Sequence, residues 1–126
     1  MDKFIIRGGN PLVGTVRVSG AKNSALPCMA AAILTDEEIT LENIPHVRDI
    51  ATERRLLASM GAVVELHEPV TSDEGDSSAP QIHTTISCKS LSDPVARYEI
   101  VKTMRASSLV LGPLIARTGM ARVAMP

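Results

Sequence analysis

The sequence predicts a mixed α/β (α+β) fold. Over several short runs apolar residues alternate with polar ones in strand fashion, and over longer runs they recur at the three-and-four spacing of a helix face. The two kinds of run take turns along the chain, separated by glycine, proline and acidic clusters, which is how strands and helices share one core. With 126 residues and 44% hydrophobic content there is apolar material for one modest core.

Residues 4–7 read as a strand, Gly8-Gly9-Asn10-Pro11 as a turn and residues 12–18 as a second strand, so residues 1–20 are expected to form an N-terminal hairpin. Leu26, Met29, Ala30, Ile33 and Leu34 then recur at helical spacing and predict a helix over residues 21–34. Pro27 is expected in its early turns, where a missing N–H costs least, and Cys28 is expected as a buried, inert thiol. Residues 39–44 alternate as a half-buried strand that Pro45 ends. Asp49 is the expected N-cap of a second helix with Ile50, Leu56, Leu57 and Met60 as its apolar stripe. Glu53, Arg54 and Arg55 fall to its solvated face, and Gly61 suits the position just past its end.

A strand over residues 62–66 follows. Residues 68–81 are rich in Pro, Ser, Asp, Glu and Gly and are expected to form a flexible acidic loop, in which Asp73-Glu74-Gly75-Asp76 lacks the spaced ligands of a calcium site. Residues 82–87 resume the strand pattern and should pair back on 62–66, with Cys88 near their end. Asp93-Pro94 is expected to start another helical region, broken between residues 98–105 and 109–116, and residues 122–126 read as a strand. Residues 21–87 thus make one αβ unit and residues 88–126 begin the next.

Composition narrows the function. The net charge of −1 and the near absence of aromatic residues argue against a nucleic-acid surface. No run approaches the length of a membrane span and the start lacks a signal peptide's apolar stretch, so a cytoplasmic protein is expected. Cys28, Cys88, His46, His67 and His83 are scattered, which predicts two reduced thiols, no disulfide and no metal site. No cofactor is expected.

The stretch with most chemistry is Val18-Ser19-Gly20-Ala21-Lys22-Asn23-Ser24, a strand-to-helix turn that sets Lys22 in the first helical turn. Free amide groups and the positive end of the helix dipole favour an anion there, and a lysine adds to that field only usefully if something negative binds. A solvated lysine beside an ordinary cap remains open. Lys102 and Arg105, three apart, are expected to share a helix face, offering an ammonium and a guanidinium to a phosphate or carboxylate, or simply to solvent.

Ser19-Gly20-Ala21-Lys22-Asn23 together with Lys102-Thr103-Met104-Arg105-Ala106-Ser107 resembles the N-terminal part of the enolpyruvyl transferase family, in its UDP-N-acetylglucosamine 1-carboxyvinyltransferase branch. The likeness runs along essentially the whole chain, through Gly112-Pro113-Leu114-Ile115-Ala116-Arg117 to the closing Met125-Pro126. The resemblance implies one βαβαββ unit, and the start of a second, from the family's inside-out α/β barrel. It implies that Lys22 and Asn23 engage phosphoenolpyruvate and the active centre, and that Arg105 contacts UDP-N-acetylglucosamine. The family's proton-donating cysteine follows a point corresponding to Pro126, so no catalytic acid is expected within the chain, which is read as inactive without the remainder of the enzyme. A shikimate-type transferase is disfavoured because its relatives carry Lys-Ser where this chain has Lys22-Asn23. The other reading is a non-catalytic nucleotide-sugar-binding or interaction module.

Overall fold

A computed structural model of the chain describes residues 3–16, 18–67 and 82–125. Helix α1 (Lys22–Ala31) runs into a 3-10 turn (Ala32–Leu34), then come β1 (Ile39–Leu41), α2 (Arg48–Ser59), β2 (Val63–His67) and β3 (His83–Ser87). A smaller second part holds β4 (Val95–Ala96), α3 (Tyr98–Val101), a 3-10 helix (Arg105–Val110), α4 (Leu111–Thr118) and β5 (Arg122–Val123).

The first sheet has the order β1-β3-β2, with β3 antiparallel to both neighbours. The strand pairing expected between residues 62–66 and 82–87 forms, from Val63 opposite Ser87 to His67 opposite His83. Central β3 shows the period of two that a half-buried strand requires: Thr84 and Ile86 are fully buried, while His83, Thr85 and Ser87 face the other way. β4 and β5 pair in parallel across the α3–α4 segment. Helices α1 and α2 pack on each other, and α2 also covers β2. Met29, Ile33, Leu56, Leu57 and Met60, from these helices and the residues that follow them, share the core with no exposed surface. Gly61 has φ +99°, the left-handed backbone expected just past α2, and a Cβ there would meet the Ser90 carbonyl oxygen at 2.7 Å.

The α/β class is as expected, but the unit present is αβαββ and no closed barrel forms among the described residues. The expected hairpin of residues 1–20 is not formed in its described part: residues 3–16 and 18–20 make no strand. Phe4, Ile6, Leu12, Val13, Val16 and Val18 are each more than 80% exposed, so their alternation has no apolar face to land on. Two strands alone are marginal in water, and among the described residues no third strand lies beside them. The acidic loop 68–81 lies outside the described residues.

Other departures are local. Val95–Ala96 is a strand where a helical start after Asp93-Pro94 was expected, because its backbone pairs with Arg122–Val123. Pro27 sits well inside α1, so the ladder bond from residue 27 to the Asn23 carbonyl is missing. Cys28 is exposed rather than buried, since α1 turns Leu26, Met29 and Ala30 to the core and leaves residue 28 outside. Cys88 is fully buried, and burial pushes its thiol pKa up against the opposing pull of Arg117. A thiol reagent applied briefly to the native protein should therefore label Cys28 and spare Cys88 until denaturant is added, as read by mass spectrometry. Equal labelling of both cysteines under native conditions would contradict this packing.

Candidate functional site

The Ser19-Gly20 turn is tied to the end of β1. The Gly20 amide donates to Asn43 Oδ1 at 2.9 Å, and Asn43 holds a left-handed backbone with φ +56°. A Cβ on Gly20 would lie 1.7 Å from the Asn43 carbonyl oxygen, so only glycine permits this approach. Gly20→Ala should accordingly force the two backbones apart, lose that hydrogen bond and cost ~1–3 kcal/mol, measured by urea denaturation. An unchanged midpoint would show that the turn is not anchored here.

Beyond the anchored turn, Ala21 takes the cap position of α1 without a side-chain hydrogen bond. The first amides of the helix are thus free of a side-chain cap, and Lys22 and Asn23 stand at its opening with exposed side chains. Ser24 does not cap either; its hydroxyl donates backward to the Ala21 carbonyl at 3.0 Å. A groove of about 210 Å³ runs beside this end, lined by Gly20, Ser24, Cys28, Glu42 and Asn43 among others.

Lys22 is not alone. Its ammonium lies 2.8 Å from Asp49 Oδ2, with the two side chains 46% and 31% exposed. Asp49 was expected to cap α2, but Val47 takes the cap position and Asp49 falls in the first turn. There its carboxylate suits the positive end of α2 while neutralising the cation that sits badly at the start of α1. The pair fixes where the ammonium stands and leaves part of the lysine side chain exposed.

Lys102 and Arg105 do not share a helix face. α3 ends at Val101, and Arg105 opens a separate 3-10 helix after the extended Met104. Lys102 turns back to pair with Glu99 and lies 5.6 Å over the Tyr98 ring, which accounts for it as a structural cation. Arg105 is exposed and has no ion pair among the described residues. The 3-10 helix that it opens packs against α1, the element that carries Lys22 and Asn23.

Glu53, expected on the solvated face with Arg54 and Arg55, is fully buried, and both its carboxyl oxygens lack hydrogen-bond partners among the described residues. Arg54 is half-buried with its Nε unpartnered, and only Arg55 is exposed as expected. Burial pushes the Glu53 carboxyl up to about 7. The signal was available in the spacing: Ile50, Glu53, Leu57 and Met60 are three, four and three apart, so Glu53 lies on the apolar stripe itself. Two scattered histidines also meet, His67 and His83 stacking at 4.5 Å across β2 and β3 on the outer sheet face. Among the described residues no group of three metal-ligating side chains assembles.

Fold and site together define an α/β unit in which a partly exposed ammonium and uncapped helix amides stand at the start of α1, beside a groove at the end of a strand. The chain belongs to the EPSP synthase (3-phosphoshikimate 1-carboxyvinyltransferase) family, whose model matches residues 6–126. It is 74% identical over its whole length to a UDP-N-acetylglucosamine 1-carboxyvinyltransferase of Acidobacterium capsulatum and 64% identical to one of Koribacter versatilis. It spans 27% of the length of each of these curated relatives. Among solved structures it is similar to the enolpyruvyl transferase NikO from Streptomyces tendae, with a TM-score of 0.64 and 26% identity over 90% of this chain and 24% of that one. The resemblance read from the sequence is thus borne out along the chain.

Proposed function

We propose that these residues are the N-terminal part of an enzyme that moves the enolpyruvyl group of phosphoenolpyruvate to the 3-hydroxyl of UDP-N-acetylglucosamine, the step that opens peptidoglycan synthesis. The observation that carries this reading is Lys22: a partly exposed ammonium held 2.8 Å from Asp49 at the uncapped start of α1, in a chain so similar to relatives of that name. Lys22 and Asn23 take the phosphate and carboxylate of phosphoenolpyruvate, and Arg105 takes an oxygen of the nucleotide sugar.

The chemistry is addition then elimination. The sugar hydroxyl oxygen bonds to the phosphate-bearing carbon of phosphoenolpyruvate, a proton is delivered to the methylene carbon, and the hydroxyl proton leaves to a base. The phosphate then departs with its bonding electrons as a proton is lost from the methyl group, restoring the double bond. Negative charge builds on the departing phosphate as its bond to carbon breaks, which is where fixed cations and amide donors lower the barrier. The acid that protonates the methylene is assigned to a part of the enzyme outside these residues, since Cys88 is buried and the scattered cysteines and histidines of the sequence make no pattern that would activate Cys28. On this reading the 126 residues alone carry no transferase activity.

The test is phosphate release by the complete enzyme that contains this chain. It should require both phosphoenolpyruvate and UDP-N-acetylglucosamine and should fail with shikimate 3-phosphate as acceptor. Release with shikimate 3-phosphate instead would move the enzyme to the sibling branch, and nucleotide-sugar binding without turnover would support a non-catalytic module.

A further inference from the structure

Glu53 lies near the centre of the buried face of α2, the helix that packs against α1, β2 and α3. One turn earlier on the same face, Asp49 reaches across to Lys22 of α1. Among the described residues no cation pairs with the Glu53 carboxyl, its neighbour Arg54 with its own unpartnered Nε included. On α1, Lys22 is committed to Asp49 and Cys28 is exposed. On β2, Glu65 is exposed and His67 lies beside Glu65 and Thr85 on the outer face. On α3, Tyr98 is exposed and Glu99 is paired with Lys102. A carboxyl so placed is comfortable only as the neutral acid, and once ionised it must be hydrated by water entering between the helices.

We propose that Glu53 is a positioning residue for Lys22: as the neutral acid it lets α2 lie against α1 with Asp49 on the ammonium, and as the carboxylate it loosens that contact and releases Lys22 from its fixed place. Because burial brings the carboxyl to about 7, both forms are reached near neutral pH, and the grip of α2 on Lys22 weakens as pH rises. The catalytic consequence rests on the reading of Lys22 as a phosphoenolpyruvate contact; the mechanical one does not.

The experiment uses the complete enzyme, isotopically labelled at lysine Cε and glutamate Cδ, with the Lys22 and Glu53 resonances assigned by their loss in Lys22→Arg and Glu53→Gln. The Lys22 signal should shift between pH ~6 and ~8 with the midpoint of the Glu53 carboxyl, and should stay still in Glu53→Gln. Over the same window the KM for phosphoenolpyruvate should rise about fivefold in the wild type, with kcat changing less, and remain level in Glu53→Gln. If Glu53→Gln does not fold, Glu53→Met, apolar and of similar volume, carries the same expectation. A Lys22 signal that ignores pH, or that moves equally without Glu53, overturns the proposal. A Lys22 signal that follows Glu53 beside a flat KM supports the positioning role and removes phosphoenolpyruvate from Lys22.

Discussion

In the complete enzyme, Lys22→Ala and Arg105→Ala should each lower kcat/KM by ~10- to 100-fold while leaving the fold in place. The size follows from one charge-assisted contact, worth ~1.5–3 kcal/mol, and it grows if the contact tightens as phosphate leaves. The fold should survive because neither side chain is part of the core. Arg105 is exposed, and the Lys22–Asp49 pair is partly solvated, where such pairs contribute about 0–1 kcal/mol. Kinetics with each substrate varied separates the two. Lys22→Ala should act chiefly through phosphoenolpyruvate and Arg105→Ala through UDP-N-acetylglucosamine. Lys22→Arg should rescue poorly, since a planar fork cannot replace a compact ammonium beside Asp49. Near-wild-type activity in either alanine variant removes that residue from the site.

How far the site could be read beforehand depended on whether its parts were local. Gly20, Lys22 and Asn23 are neighbours in the chain, and a glycine before a helix carrying a cation in its first turn is a local pattern. The partner of Lys22 was not legible, because Asp49 comes from another helix and nothing in its surroundings distinguishes an ion-pair carboxylate from a cap. The lock of Gly20 on Asn43 spans 23 positions and rests on one left-handed residue, which no periodicity announces. Lys102 and Arg105 failed for a different reason: three-residue spacing implies a shared face only if one helix runs through both, and the chain breaks between them.

The sheet and helices were legible where a strong pattern met a partner. β2 and β3 alternate and find each other, and α2 stops just before Gly61, whose left-handed backbone ends it. Residues 4–18 alternate just as clearly, but alternation says only that a strand has two unlike faces. Among the described residues nothing covers the apolar one. The error at Glu53 was of another kind. The residue type argued for solvent and the spacing for the core, and packing of α2 on both α1 and the sheet made position prevail.

That burial should make stability fall with rising pH. The Glu53 carboxyl has its usual value of 4.5 when the chain is unfolded and is raised to about 7 when folded. Between those values the folded state holds a proton that the unfolded state has released, so the folded state is favoured less with each step upward in pH. The contribution is intact below the unfolded value, declines across the window from 4.5 to about 7, and is lost above it. The gap corresponds to ~3 kcal/mol, a large share of what holds a domain of this size together. Urea denaturation of the protein at pH ~5 and ~8.5 should show the loss, and Glu53→Gln, which cannot ionise, should remove that slope. Glu53→Met should remove it too and should be more stable than wild type at the higher pH, since it exchanges an unpartnered buried carboxylate for apolar packing. A wild type and a Glu53→Gln variant with the same pH slope would mean that the carboxyl finds water or a partner in solution, and that its burial does not set its charge.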